Sequence, residues 1–243
     1  MNNLEWQARV DTAALYRLIA LEGWDDLIGT HVSARIPGDE HRFLLNPYGM
    51  LFEEITASNL LTVDLDGNQL TTSDYAFNRA GFTIHSAVHM NRDDAMFVIH
   101  LHTDYGIAVS CQEDGLKPLN QTAIAVYSDL AYHDYEGVAT NLAERERLVE
   151  DLGAKNAMIL RNHGTMACGP NAGGAWQAIF RLERACRYQI LAESGSATTR
   201  SLSVDIIDSR ASVTSTDALE TRGTFIWPAL LRKLDRIDKS YRD

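Results

Sequence analysis

Apolar residues at Ala8, Val10, Ala13, Leu15, Ile19 and Leu21 recur with mainly helical spacing and stop at Gly23, which predicts a first helix from about Glu5 to Glu22. Two short strand-like runs follow, Val32–Ile36 and Arg42–Leu45, separated by the turn signal Pro37-Gly38-Asp39-Glu40 of a hairpin. Asn46-Pro47-Tyr48-Gly49 reads as another turn. Thr56 is placed to cap a short helix before a strand over Leu60–Leu65 that turns at Asp66-Gly67. Residues 81–92 read as helix, 95–101 as strand and Tyr105–Cys111 as helix, ahead of an irregular middle that contains Tyr132-His133-Asp134-Tyr135. A helix near 142–152, a strand at 157–160 and a long amphipathic helix from about Ala172 to Ala192 come next. The Ser- and Thr-rich stretch 194–216 reads as a loop or lid, and 225–240 returns to a helical pattern. Strands and helices that alternate in this way favour a layered α/β domain. With no internal repeat or compositional boundary, the expectation is one domain over 1–243 with its core at about 8–194.

Composition narrows the class of protein. The chain has 243 residues, 45% of them apolar and 23% charged, and no apolar run long enough to cross a bilayer. No signal-like segment opens it, since Met1-Asn-Asn-Leu-Glu-Trp already resembles a helix start, so a cytoplasmic location and no membrane partner are expected. A net charge of −11 without a basic block argues against nucleic acid. Cys111, Cys168 and Cys186 are odd in number and lack CxxC spacing, so each is read as a buried or semi-buried structural thiol.

The chemistry concentrates in histidines. His100 and His102 stand two residues apart at the end of the apolar run 95–99, where an extended chain puts both imidazoles on one side. A third candidate, His163, follows the apolar run 157–160. Three histidines on two strand ends would form a neutral cage for a divalent transition metal, and zinc, iron(II), manganese or cobalt would each suit it. His85 and His89 are spaced i, i+4 on a predicted helix, with no third ligand nearby to make a second metal site.

Three segments, Gly81-Phe-Thr-Ile-His-Ser-Ala87, Val98-Ile-His-Leu-His-Thr103 and Leu160-Arg-Asn-His-Gly164, together resemble the class II aldolase and adducin family, over about residues 8–194 and in the family's order. Thr30–Arg35, Ile55–Ser58 and Ala131–Tyr135 resemble the adducin head in particular. The resemblance implies a three-layer α/β domain with a mainly antiparallel central sheet flanked by helices, and a homotetramer with interfacial active sites. It also implies His100, His102 and His163 as metal ligands, His85 and Tyr132 as catalytic residues, and His31 as a pocket residue in place of a phosphate-loop asparagine. Tyr132, His133 and Asp134 would approach the metal or form a local turn network. Tyr241 falls near a tyrosine that closes a neighbour's site in aldolase relatives, though here it reads as part of a solvated tail.

Two departures from the aldolase pattern bear on chemistry. The acidic residue that family aldolases carry four positions before His85 is here Gly81, which removes the expected acid/base. The phosphate-binding turns read Thr30-His31, Asn46-Pro47-Tyr48-Gly49 and Arg79-Ala80, with Tyr48 bulky where a small hydroxyl is wanted, so the expected substrate is a small, anionic, unphosphorylated molecule. Arg79 would orient its carboxylate, with Asn46 and Tyr48 beside it. Three functions follow: a metal-dependent lyase of decarboxylase or aldolase type, a non-haem iron(II) oxygenase on the same scaffold, or a non-catalytic adducin-like assembly module.

Overall fold

A computed structural model describes residues 2–39, 41–138, 141–200, 202–209 and 214–243. Glu40 of the first predicted turn, and 201 and 210–213 of the predicted loop or lid, lie outside the described residues. The first helix, α1 (Asn3–Glu22), starts where the Asn2 side chain accepts the Glu5 N–H at 2.8 Å. It ends at Gly23, whose φ of 66° suits the left-handed stop.

Seven strands form one sheet: β1 (His31–Arg35), β2 (Arg42–Leu45), β3 (Leu61–Asp64), β4 (Phe97–Leu101), β5 (Leu130–His133), β6 (Ala157–Leu160) and β7 (Gly164–Gly169). Their order is β3-β2-β1-β4-β7-β6-β5, and every neighbouring pair is antiparallel except β5 with β6. The helices are α2 (Arg79–Asn91), α3 (Asp104–Ser110), α4 (Gln121–Tyr127), α5 (Glu144–Leu152), α6 (Ala172–Glu193), α7 (Val204–Asp208) and α8 (Thr216–Asp235).

Strand alternation sorts the core into layers. Val32, Ala34, Ile99, Leu101 and Ile159 face one way, into a cluster with Leu15 and Ile19 of α1 and Ile179 and Leu182 of α6. Val98, Met158 and Met166 face the other way, against Ile84 and Val88 of α2 and Leu148 and Leu152 of α5. The layered α/β reading therefore holds, with helices on both faces of a mainly antiparallel sheet. Among the described residues, no helix is long and apolar enough to cross a membrane.

Several local expectations are corrected. The irregular middle contains α4 and β5, because parallel pairing with β6 organises Leu130–His133 where its own pattern is weak. The strand β7 was missed, since a three-residue link from β6 leaves no conventional turn dipeptide to announce it. Thr56 caps no helix: a 3₁₀ turn lies earlier, at Phe52–Glu54, and the Ala57 and Ser58 amides donate instead to the carbonyls of Tyr241 and Asp243 at 3.0 and 2.8 Å. Tyr241 is accordingly no solvated tail residue; it is fully buried and its hydroxyl donates to Asp235 at 2.8 Å. Cys168 and Cys186 are buried as expected, whereas Cys111 is exposed. In the stretch 194–216, α7 buries no residue, and Thr214 is fixed between the Ala125 carbonyl and the Asn156 side chain, at the start of β6. That is the end of the sheet opposite His100 and His163.

The last helix begins nine residues before the expected 225 because Leu219 and Gly223 pack on α6. The two helices touch at Gly173 and Gly223, where a Cβ on Gly223 would lie 2.1 Å from Asn171 Oδ1 and 2.6 Å from the Gly174 nitrogen. Gly223→Ala is therefore expected to destabilise the protein by about 1–3 kcal/mol, read as a lower urea midpoint at unchanged slope. An unchanged midpoint would show that the helices can separate freely.

Candidate metal centre

The candidate histidines His31, His100, His102 and His163 gather at one end of the sheet, set by strand register. His31 on β1 pairs with His100 on β4, and Leu101 pairs with Thr165 on β7. His163 sits in the link between β6 and β7, where Asn162 takes a φ of 56°, a conformation asparagine tolerates better than most residues. Gly164 is required there, since a Cβ would lie 2.3 Å from the Leu101 carbonyl. The Asn-His-Gly sequence is thus a left-handed turn, a candidate ligand and a close approach in succession.

His100, His102 and His163 converge, with one ring nitrogen of each within 4.8 Å of the others. The nitrogens Nε2 of His100 and His102 are 3.0 Å apart. His100 Nδ1 donates to the Thr165 carbonyl at 2.9 Å, and His102 Nδ1 faces the Asp26 carboxylate at 2.9 Å. In neutral rings both Nδ1 atoms then carry the proton, and both Nε2 atoms present lone pairs to each other. Two acceptors at that distance repel unless a cation lies between or beside them. Backbone carbonyl and carboxylate partners on the outer nitrogens are the usual orienting groups of metal-bound histidine. Burial holds His100 well below the ordinary histidine pKa and brings His163 down to about 4, so both stay neutral and able to ligate. The donor set fits a divalent transition metal.

Behind this cluster lies a line of buried polar groups on the α2 face. The His31 ring stacks on His100 at 5.3 Å between centroids. His31 Nδ1 meets His85 Nε2 at 3.0 Å, His85 Nδ1 meets Ser33 Oγ at 2.5 Å, and Ser33 Oγ meets His89 Nε2 at 2.7 Å. Burial depresses His31 and His85 strongly and takes His89 to about 3. The His31 ring fills the space above Gly81: a Cβ there would lie 2.5 Å from His31 Cδ2 and 2.6 Å from Nε2. The missing side chain at 81 and the histidine at 31 are two halves of one packing solution.

The other expected site residues divide. Asn46, at the same end of β2, is buried with Oδ1 accepting from the Tyr16 hydroxyl at 2.9 Å. Tyr48 is 46% exposed on the following turn. Arg79 is exposed at the start of α2 with its guanidinium 5.0 Å over the Phe77 ring, and takes part in none of the ion pairs among the described residues. Tyr132 is not brought to the histidines. Alternation on β5 turns it to the α1 and α6 face, where its hydroxyl accepts the Leu116 N–H at 3.0 Å and Arg161 lies 4.4 Å over its ring. His133 forms a local network, with Nδ1 2.7 Å from Asp151 and Nε2 3.6 Å from Glu144. Beside His163 opens a cavity of about 490 Å³ bordered by Ser110, Asp134, Tyr135, Arg161 and Asn162. Sequence reasoning missed Asp26, Ser33 and the Thr165 carbonyl, none of which carries a local signal.

The Class II Aldolase and Adducin N-terminal domain profile matches residues 10–190. The chain belongs to this family. It is 53% identical over 243 residues to a Caulobacter vibrioides protein named for the class 2 aldolases, covering all of this chain and 95% of that one. It is 40% identical over 192 residues to mouse alpha-adducin, covering 77% of this chain and 26% of the adducin. Among solved structures, L-fuculose 1-phosphate aldolase from Glaciozyma antarctica superposes with a TM-score of 0.85 at 26% identity, over 98% of this chain and 93% of that one. The family and fold expected from the histidine motifs are those the comparisons give.

Two outcomes are expected. Gly81→Ala should cost about 1–3 kcal/mol by displacing His31, and should cost much less in a His31→Ala background; additive effects in that double-mutant cycle would deny the coupling. The second concerns pH. An unfolded histidine binds a proton near 6.5, while His31, His85, His89, His100 and His163 in the fold do not, so the unfolded state holds more protons below that value. Stability is then fully present above about pH 6.5 and is lost as pH falls, at up to ~1.4 kcal/mol per pH unit for each such group. Carboxyl groups raised by burial, Glu183 to about 7 and Asp11, Asp129 and Glu144 in the same direction, act in the opposite sense and temper the loss. Melting of metal-free protein from pH 7.5 to 5 should show a falling Tm, and a flat profile would contradict this account.

Proposed function

We propose that this chain is a metal-dependent lyase that cleaves a carbon–carbon bond in a small, unphosphorylated carbonyl acid, as a decarboxylase or an aldolase does. The observation that carries the reading is the pair of Nε2 lone pairs of His100 and His102, 3.0 Å apart, with both outer nitrogens committed to acceptors. Held by His100, His102 and His163, a divalent transition metal would supply stabilisation of the negative charge that develops on oxygen as the bond breaks.

Proton handling falls to the line of groups behind it. With Ser33 donating to His89 Nε2, His85 Nδ1 donating to Ser33 and His31 Nδ1 donating to His85, His31 Nε2 is left with its lone pair over Gly81. That atom is the base that position 81 lacks, and burial keeps it unprotonated and ready to accept. His85 acts by fixing the His31 tautomer. Asn46 and Arg79 are the polar groups assigned to the substrate, and Tyr48 on the exposed turn supports an unphosphorylated one.

Identity of 40% to alpha-adducin supports a second reading, a binding module without catalysis. One experiment separates the alternatives. Protein purified without added metal should hold about one equivalent of zinc, iron, manganese or cobalt by elemental analysis, and His100→Ala should lose it. A screen of small carbonyl acids should then give cleavage equally with and without oxygen, and His31→Ala should lower turnover roughly 10²–10⁴-fold. Strict dependence on oxygen would move the assignment to an iron(II) oxygenase, and wild-type protein without metal or stoichiometric uptake would leave the adducin-like module.

A further inference from the structure

On the face of the sheet opposite the His100 ring, α6 places a carboxylate that the proposed reaction does not use. Glu183 is 3% exposed, and its two oxygens accept from the hydroxyls of Thr103 and Thr165. Thr103 directly follows His102 and also caps α3, its Oγ1 accepting the Gly106 N–H at 3.0 Å. Thr165 supplies the carbonyl that receives His100 Nδ1. One carboxylate therefore ties together the end of β4 and the start of β7, the two backbone segments that set the direction of His100 and His102.

Among the described residues its charge has no cationic partner. None of the ion pairs among the described residues includes Glu183. Two arginines border the same cleft, but Arg184 donates to the Tyr188 hydroxyl at 3.0 Å and Arg187 lies 5.5 Å over the Tyr105 ring. A buried carboxylate without a counter-charge is costly, and burial indeed pushes Glu183 up to about 7. Three histidines binding as neutral imidazoles would bring no charge of their own to offset a divalent ion's two, and the Asp26 carboxylate beside His102 is half exposed to solvent. Between them and Glu183 run the Thr165 residue and the His102–Thr103 peptide.

We infer that Glu183 is a positioning residue of the metal centre: through Thr103 and Thr165 it fixes the backbone that aims His100 and His102, and its negative charge offsets that of the bound ion. This rests on the metal reading of the three histidines. Outer groups of this kind commonly govern metal affinity by 10–100-fold.

Glu183→Gln separates the charge of Glu183 from its hydrogen bonds. The amide keeps the size and can still hydrogen-bond both hydroxyls, while the charge is gone. If the charge serves the ion, the variant binds Co(II) about 10–100-fold more weakly by titration of the metal alone, with an altered visible spectrum, while metal-free protein melts at or above wild type. Glu183→Asp, which keeps the charge, should bind Co(II) more tightly than Glu183→Gln. Wild-type Co(II) affinity in Glu183→Gln, or a metal-free Tm that falls in step with the affinity, overturns the inference. Should Glu183→Gln fail to fold, Thr165→Val removes one hydroxyl link and keeps the carbonyl; weaker Co(II) binding supports the inference and unchanged binding overturns it. If wild type takes up no Co(II), the metal reading fails first and this inference with it, a result distinct from a wild type that binds and a variant that binds equally.

Discussion

The antiparallel register of β4 against β7 is the constraint on which the site depends. Pairing Leu101 with Thr165 places the Thr165 carbonyl where it receives His100 Nδ1, brings the β6–β7 link with His163 alongside, and demands glycine at 164. A slip of one residue would turn His100 to the opposite face and leave its Nδ1 without that carbonyl. Hydrophobic alternation on both strands resists such a slip, because it would carry Val98 and Met166 out of one core and Ile99 and Leu101 out of the other. Core packing and ligand geometry are thus enforced by the same pairing.

A second constraint is volume. His31 and Gly81 share one space, and either a side chain at 81 or the present ring at 31 can occupy it. The imidazole takes the space that a side chain at 81 would need. What stands beside the three-histidine cluster is thus a neutral ring held by hydrogen bonds from His85 onward. Family membership therefore fixes the scaffold while leaving room for a different proton carrier.

Burial decides the charge of the whole assembly. Removal from water keeps His100 and His163 neutral, and a cation beside the facing nitrogens of His100 and His102 would relieve the repulsion of two lone pairs. Two carboxyl groups, Asp26 near the surface and Glu183 in the interior, lie on two sides of the three-histidine cluster.

Much of this was legible in the chain itself. The spacing of His100 and His102 at the end of an apolar run, the Asn-His-Gly turn and the order of the motifs were enough for the layered α/β fold, the family and the convergence of the three histidines, because strand alternation and turn chemistry are local. Long-range pairing was not legible: β7 and β5 carry little signal of their own, Tyr132 was read as a site residue although β5 turns it to the other face, and Tyr241 was read as tail although Asp235 and the 57–58 amides bury it. Asp26 and Thr165 reach His102 and His100 from 76 and 65 residues away in sequence, and Glu183 reaches Thr103 from 80. The chain by itself determined which residues can ligate, since that is a property of side-chain type and strand period. Only the tertiary structure decided what stands behind them, because hydrogen-bond partners and shared volume are set by register and packing between distant segments.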